Sequence, residues 1–291
     1  IDVPNATLMT ILDAESFDAI DVAFFAAGPK VAGEYCPVAS AAGAMVIDLS
    51  SRFRLDPAVP LVVPEVNAVA LRNGREHGIV ASPSAVAIAL AVVLAPLREA
   101  AGLRRVVVST YQGSAGAGRA AVERLSRETF DLLAGRGSRP RLRERPRAFN
   151  CVPQVGAIEP GGVTTQELQV VEEVRKTLDA PNLALSVTAV RVPAFFGYGL
   201  SVTCETEEPL GVVRATEVLR EAPGLLVYDE PGAAYPTPVE IVGSDGTHVG
   251  RIRLDVAVEH GLACWVAFDS VRKGAALNAV EIAEILVRNL C

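Results

Sequence analysis

The chain has 291 residues, enough for one large domain or two ordinary ones with a sizeable core, and half of those residues are hydrophobic, which excludes intrinsic disorder. With 27 Lys and Arg against 34 Asp and Glu the net charge is −7, a poor balance for gripping a nucleic-acid duplex. The longest strongly apolar stretch, Ala85–Leu97, contains Pro96 and is too short to span a bilayer; Ile1-Asp2-Val3-Pro4 has neither the basic region nor the apolar core of a signal peptide.

The first convincing element is the apolar run Asp21–Ala27, closed by Gly28-Pro29 and followed by a helical pattern over Val31–Ala42. A second apolar strand, Ala44–Asp48, comes next, then a polar loop, Leu61–Val63, Gly78–Ser82 and a long apolar helix from Ser84 to Ala101. Continuous apolar strands alternating with helices indicate a parallel sheet covered on both faces, joined by right-handed crossovers. The start of the chain therefore reads as part of a doubly wound nucleotide-binding domain. The glycine-rich phosphate turn that opens such a domain is not found before Asp21, so the first strand and turn are expected to precede Ile1.

From Arg105 the pattern changes. Arg105–Tyr111 is a strand, and Gly113–Gly118 opens a helix running to Leu133. Gly135–Arg147 carries six arginines and two prolines with no aromatic among them, and reads as a solvated loop rather than a nucleic-acid arm. Thr164 and Thr165 signal the start of a helix over Thr165–Leu178. Strands at Leu183–Val192, Ser201–Thr206, Val249–Leu254 and Leu262–Phe268 indicate a largely antiparallel sheet, and a helix over Gly274–Asn289 closes the chain.

The five cysteines (Cys36, Cys151, Cys204, Cys264 and Cys291) are scattered, with no CxxC pair, and His77, His248 and His260 lie in turn-like surroundings. No metal site and no disulfide framework is expected, and a cytoplasmic protein is the default. Small residues at Gly113–Gly118 suit either an anion at a helix start or close packing. Arg54 follows the end of a strand, where open α/β sheets bind ligands. Glu173 and Lys176 share one helix face, as a surface ion pair or as part of a site. Arg191 at a strand end is either a bidentate carboxylate clamp or a strand-end charge.

Taken together, long segments in chain order resemble the aspartate-semialdehyde dehydrogenase family: Ala44–Pro57 (AMVIDLSSRFRLDP), Val62–Asn67 (VVPEVN), Val107–Gly118 (VVSTYQGSAGAG), Arg147–Asn150 (RAFN), Glu172–Lys176 (EEVRK), Val190–Pro193 (VRVP), Tyr235–Pro238 (YPTP) and Val271–Val280 (VRKGAALNAV). The resemblance implies an incomplete Rossmann-like doubly wound parallel sheet in residues 1–83 and 272–291, binding NADP, and an α+β substrate-binding and dimerisation domain in residues 84–271. It implies a homodimer acting on an amino-acid aldehyde or acyl phosphate, with phosphate as co-substrate and neither nucleic acid nor membrane as partner. In such an enzyme a Cys thiolate attacks the carbonyl, a His moves protons, hydride passes to the nicotinamide, and phosphate takes up the acyl group.

By the same resemblance Arg54 and Lys176 match the phosphate-binding cations, Glu173 the acid that holds the substrate amine, Arg191 the clamp on its carboxylate, and Gln112 the glutamine that orients substrate. Gly28, Ser50, Gly116, Asn278 and Glu281 fall at cofactor-binding positions, with Pro29 in place of a Gly and Glu281 in place of a Gln. The catalytic pair departs from the family. Its Asn-Pro-Asn-Cys segment reads Ala81-Ser-Pro-Ser-Ala85 here, so Ala85, or Ser84 after a shift of one residue, stands at the thiol. Its His follows the carboxylate Arg by seven residues, and here that position is Tyr198. The expectation is a family member with a retained pocket and impaired catalysis. The alternatives are a reductase of altered mechanism with Tyr198 as proton donor, and a regulatory partner in mixed dimers.

Overall fold

The computed structural model describes residues 11–72, 77–136, 145–229 and 235–288; the expected N-terminal start, most of the arginine loop, Cys291 and the last residue of the closing helix fall outside them. Strands β1 (Val22–Phe25), β2 (Met45–Asp48) and β3 (Ile79–Ala81) form a parallel sheet in that order. Helix α1 (Pro29–Ala41) is the first crossover. Alternate side chains of a strand face opposite ways, and both faces of this sheet are covered. Val46, Ile79 and Ala81 pack with Cys36 and Ala39 of α1. Ile47 and Val80 pack with Ala279, Ile282 and Leu286 of the closing helix, Asn278–Arg288, so the end of the chain returns to the first sheet.

A short helix α2 (Pro64–Asn67) leads through β3 to α3 (Ala85–Ala101). Every residue from Val86 to Leu94 is buried. A helix apolar all round belongs in the interior, and α3 is the hub on which α5 (Thr165–Thr177) and α6 (Val212–Glu221) pack. The second sheet is mixed. Its strands β4 (Arg105–Gln112), β5 (Ala184–Arg191), β6 (Tyr198–Glu205), β7 (Leu225–Tyr228), β8 (Thr247–Asp255) and β9 (Gly261–Phe268) lie in the order β5-β4-β6-β9-β8-β7. The β4/β5 and β7/β8 pairs are parallel and the other three antiparallel. Helix α4 (Arg119–Leu133) follows β4, and α7 is the closing helix named above.

Four local expectations need correction. Leu61–Val63 is not a strand: only Leu61 bridges Ala81, because Pro60 and Pro64 flank the segment and a helical turn begins at Pro64. The edge strand β7 was not expected, its four residues LLVY giving too short a run to register. The closing helix does not start at Gly274 as an α-helix; Arg272–Leu277 is a π-turn. Strand β6 begins at Tyr198 rather than Ser201, after Gly197 at a φ of 72° turns the chain into the sheet. That last shift matters for the site.

Candidate active site

Register builds one half of the site. Gln112 at the end of β4 pairs with Arg191 on β5 and with Tyr198 on β6. All three are buried side by side at one end of the sheet. Gln112 Nε2 donates to Thr110 Oγ1 (3.1 Å) and Gln166 Oε1 (2.8 Å), while its Oε1 is buried with no partner. Arg191 Nη1 donates to the Gly113 carbonyl (2.7 Å) and the Tyr198 hydroxyl (3.2 Å). The Tyr198 ring stands edge-on to Phe268, and a Cβ at Gly116 would lie 2.0 Å from its hydroxyl oxygen, so Gly116 is the space that the tyrosine fills.

Five N–H groups of the Gly113–Gly118 turn are spent within the chain. The N–H groups of Gly113, Ser114 and Ala115 donate to the carbonyls of Gly197, Ala194 and Phe195, and those of Ala117 and Gly118 close the turn on Ser114 and Ala115. Small residues there serve close packing of two loops.

The other half lies where the two sheets' layers meet. Helix α5 starts with a reciprocal capping box between Thr164 and Glu167, as its sequence signals. Its face carries Glu173 and Lys176, which do not pair with one another. Glu173, wholly buried, accepts from Arg54 Nη1 (3.2 Å) and from the Ser84 N–H (2.7 Å). Arg54 gives its other two nitrogens to the carbonyls of Ser82 (Nε, 2.9 Å) and Leu49 (Nη2, 2.7 Å). Lys176 Nζ donates to the carbonyls of Arg54 (2.9 Å), Asp56 (2.6 Å) and Val59 (2.7 Å). Burial holds its pKa below the usual lysine range, with Asp56 pulling the other way. Lys176 is therefore saturated by the chain itself, and Arg54 has a partner on each of its three nitrogens.

Between the halves is the start of α3. Ser84 is its N-cap, with a buried hydroxyl that has no partner. Ala85 is its first residue, and its methyl faces Gly274, where an added Cβ would lie 2.7 Å away. The cysteines stand elsewhere: burial pushes the thiols of Cys36 and Cys264 up to about 12 and that of Cys204 up to about 11, while Cys151 is exposed.

The positions matched to the cofactor divide. Gly28, at a φ of 93° before α1, has open space where a side chain would be. Asn278 is buried, donating to Val62 O and Ser82 Oγ with its own Oδ1 unpartnered. An orphaned buried oxygen and an unfilled glycine at a helix start fit a dinucleotide lying across this edge. Ser50 Oγ donates to Asp48 Oδ2 (2.9 Å) and receives the Arg52 N–H. Glu281 is engaged by the buried Lys273 (2.6 Å), which also meets Glu65, and burial raises its pKa against that pairing. The three atoms nearest to where a Cβ at Gly116 would stand all belong to Tyr198.

Comparison with known proteins decides the family. The semialdehyde dehydrogenase NAD binding domain matches residues 2–74, and the semialdehyde dehydrogenase dimerisation domain matches residues 94–273. The aspartate-semialdehyde dehydrogenase of Aquifex aeolicus is 42% identical over 97% of this chain and 84% of that protein. The chain belongs to the aspartate-semialdehyde dehydrogenase family. The Shewanella sp. aspartate-semialdehyde dehydrogenase is 40% identical over 98% of this chain and 85% of its own length. The crystal structure of aspartate semialdehyde dehydrogenase II from Vibrio cholerae superposes with a TM-score of 0.91 at 38% identity, covering 94% of this chain and 82% of that one; it has also been solved complexed with ASA. The family match to an NAD binding domain makes a nicotinamide cofactor the family's expectation for the first sheet.

Sequence reasoning missed two participants. Gln166, which orients Gln112, sits in the first turn of a helix with no motif to mark it. Arg147 ends the stretch read as a solvated loop, yet its Nη1 is buried with no acceptor. Its place in the RAFN segment was the available signal.

Among the described residues no group of His, Cys, Asp and Glu is arranged to hold a metal, and no helix is long and apolar enough to cross a membrane.

Proposed function

We propose that this chain binds the family's amino-acid aldehyde or acyl phosphate in a retained pocket but does not run the covalent thioester route. The observation that carries this reading is the start of α3, where a methyl group at Ala85 and an unassisted hydroxyl at Ser84 occupy the thiol's expected place. A serine attacks a carbonyl only with a base beside it. The nearby carboxylate, Glu173, has both oxygens engaged by Arg54 and the Ser84 N–H. Tyr198, at the position of the family's His, is buried with its hydroxyl held by Arg191.

Within this reading Arg191 clamps the substrate carboxylate, Gln112 offers its unpartnered Oε1 as an acceptor to a substrate N–H or O–H, and Glu173 holds the ammonium beside the Arg54 and Ser84 N–H groups it already accepts. Arg54 and Lys176 meet a phosphate only after exchanging carbonyl partners. The cofactor is NADP, which when bound supplies hydride exchange. Gly28, Ser50 and Asn278 would hold it, whereas Gly116 acts through Tyr198 and Glu281 through Lys273. The protein works in the cytoplasm as a homodimer through the outer face of the second sheet, where Val107 and Tyr111 are exposed and Tyr111 lies against Trp265.

The test is NADP reduction by the full-length protein with aspartate semialdehyde and phosphate, beside Ala85→Cys/Tyr198→His and Ser84→Cys/Tyr198→His variants. Loss of general acid–base help alone costs about 10²–10⁴-fold, so wild type is expected to be silent and the Ala85 double variant to turn over. Robust wild-type turnover overturns the proposal and favours a reductase using Tyr198.

A further inference from the structure

Helix α4, the segment 145–156 and the end of β5 enclose a cavity of about 230 Å³. Arg124, Arg145, Arg147 and Arg191 line it, with Gln154 and no acidic residue. Nothing in the family's matched set accounts for the first three of these.

The guanidiniums differ in how they are satisfied. Arg124 is paired: its Nε donates to Glu128 Oε1 (2.6 Å). The other Glu128 oxygen accepts the backbone N–H groups of Arg147 (2.6 Å) and Ala148 (3.2 Å), so this carboxylate is used up fixing the backbone at the cavity's rim. Arg191 is 8% exposed and gives only its Nη1 to neutral oxygens. Arg147 makes no side-chain hydrogen bond among the described residues, and its Nη1 is buried. Neither Arg147 nor Arg191 forms an ion pair there.

Two half-desolvated cations that repel one another are costly to hold together. Burial first, then the charges of Arg191 and Arg124, lower the pKa of Arg147, with Glu128 partly opposing. Planar guanidinium forks match the oxygens of carboxylate and phosphate bidentately. The cavity is the size of one small anionic group rather than of a drug-sized ligand.

We propose that this cavity is an oxyanion site, taking a phosphate or carboxylate group between Arg147 and Arg191; it rests on the reading of Arg191 as the substrate-carboxylate clamp, with which it shares that arginine, and it is separate from Arg54 and Lys176. Its ligand is a small molecule carrying such a group. Binding there reaches Tyr198 and Gly113 through Arg191 Nη1, so occupancy is felt at the end of β4.

The experiment is titration of the full-length protein with inorganic phosphate and, separately, with succinate, at matched ionic strength, followed by calorimetry and thermal melting. At least one anion is expected to bind saturably and raise Tm. Tighter phosphate assigns a phosphate-bearing ligand, and tighter succinate a carboxylate-bearing one. Arg147→Gln is expected to weaken that binding at least ten-fold without lowering the anion-free Tm, with Arg147→Lys retaining part of it. Gln154→Glu places a carboxylate in the cavity and is expected to abolish the response in a folded protein. The proposal is overturned if neither anion affects wild type, if Arg147→Gln responds as wild type does, or if Lys176→Met loses the response and Arg147→Gln keeps it. Aspartate semialdehyde binding is measured on the same proteins: Arg147→Gln is expected to keep it while losing the anion response, and loss of both together overturns the separate site.

Discussion

Two groups of cations in this chain show opposite states. Arg54 and Lys176, which match the family's phosphate ligands, are engaged on every nitrogen, by a carboxylate and five carbonyls. Arg147 and Arg191, at the end of the second sheet, line one cavity with no acidic residue in its lining. Residue type alone treats these pairs alike. What separates them is partner supply: the 54–59 loop folds back on α5 and offers its carbonyls, whereas Glu128 is consumed by Arg124 and by backbone before it can reach Arg147. A matched cation can thus be a structural clasp while an unmatched one stays available for a ligand.

The comparison breaks most sharply at Glu173. Substituting Glu173→Gln removes the buried charge that compensates the partly buried Arg54 and weakens the hold on the Ser84 N–H. Breaking a buried pair by removing one partner costs about 3–5 kcal/mol. Urea denaturation is expected to show that loss, and an unchanged midpoint would mean that Arg54 finds solvent instead. Lys176→Met is the next largest. It removes three charge-assisted bonds to carbonyls, which are not additive, and a hydrogen bond to a charged group contributes about 1.5–3 kcal/mol. Limited proteolysis is expected to cut first within residues 54–59, and protection of that loop would show that Lys176 does not tether it.

Much of the architecture is legible in the sequence. The apolar strand runs and the capping signals at Thr164 follow from periodicity and residue type, and the return of the chain's end to the first sheet from the family resemblance. The family, too, was legible, because the matching segments span almost the whole chain. The state of each side chain was not. Whether Lys176 is free depends on carbonyls more than a hundred positions away in sequence, and no local pattern encodes that. Likewise the arginine stretch looked solvated because composition averages over its length, while Arg147 at its end is fixed by the Glu128 carboxylate on α4. Tyr198 was noted as a substitution, but its burial depends on Gly116 leaving room for the hydroxyl.

Glu128 sharpens the comparison with the smallest expected effect. Burial pushes its carboxyl up, but the Arg124 hydrogen bond and the N–H groups of Arg147 and Ala148 outweigh it, leaving the pKa below its ordinary 4.5. A carboxyl whose folded pKa is depressed binds fewer protons folded than unfolded, so its contribution is complete above the unfolded value. It is then lost as pH falls from about 4.5 through the lower folded value. Glu128→Gln is therefore expected to flatten the acid limb of a stability-against-pH curve below 4.5 while leaving the shape of that curve near neutrality unchanged. The same variant removes the charged partner of Arg124 and adds another unpaired guanidinium to the cavity. If available positive charge is what the cavity offers, phosphate or succinate should bind more tightly to Glu128→Gln than to wild type, by a few-fold. If instead Glu128 chiefly fixes the rim backbone, the acid limb flattens and anion affinity falls, which places the ordering of Arg147 above the count of charges.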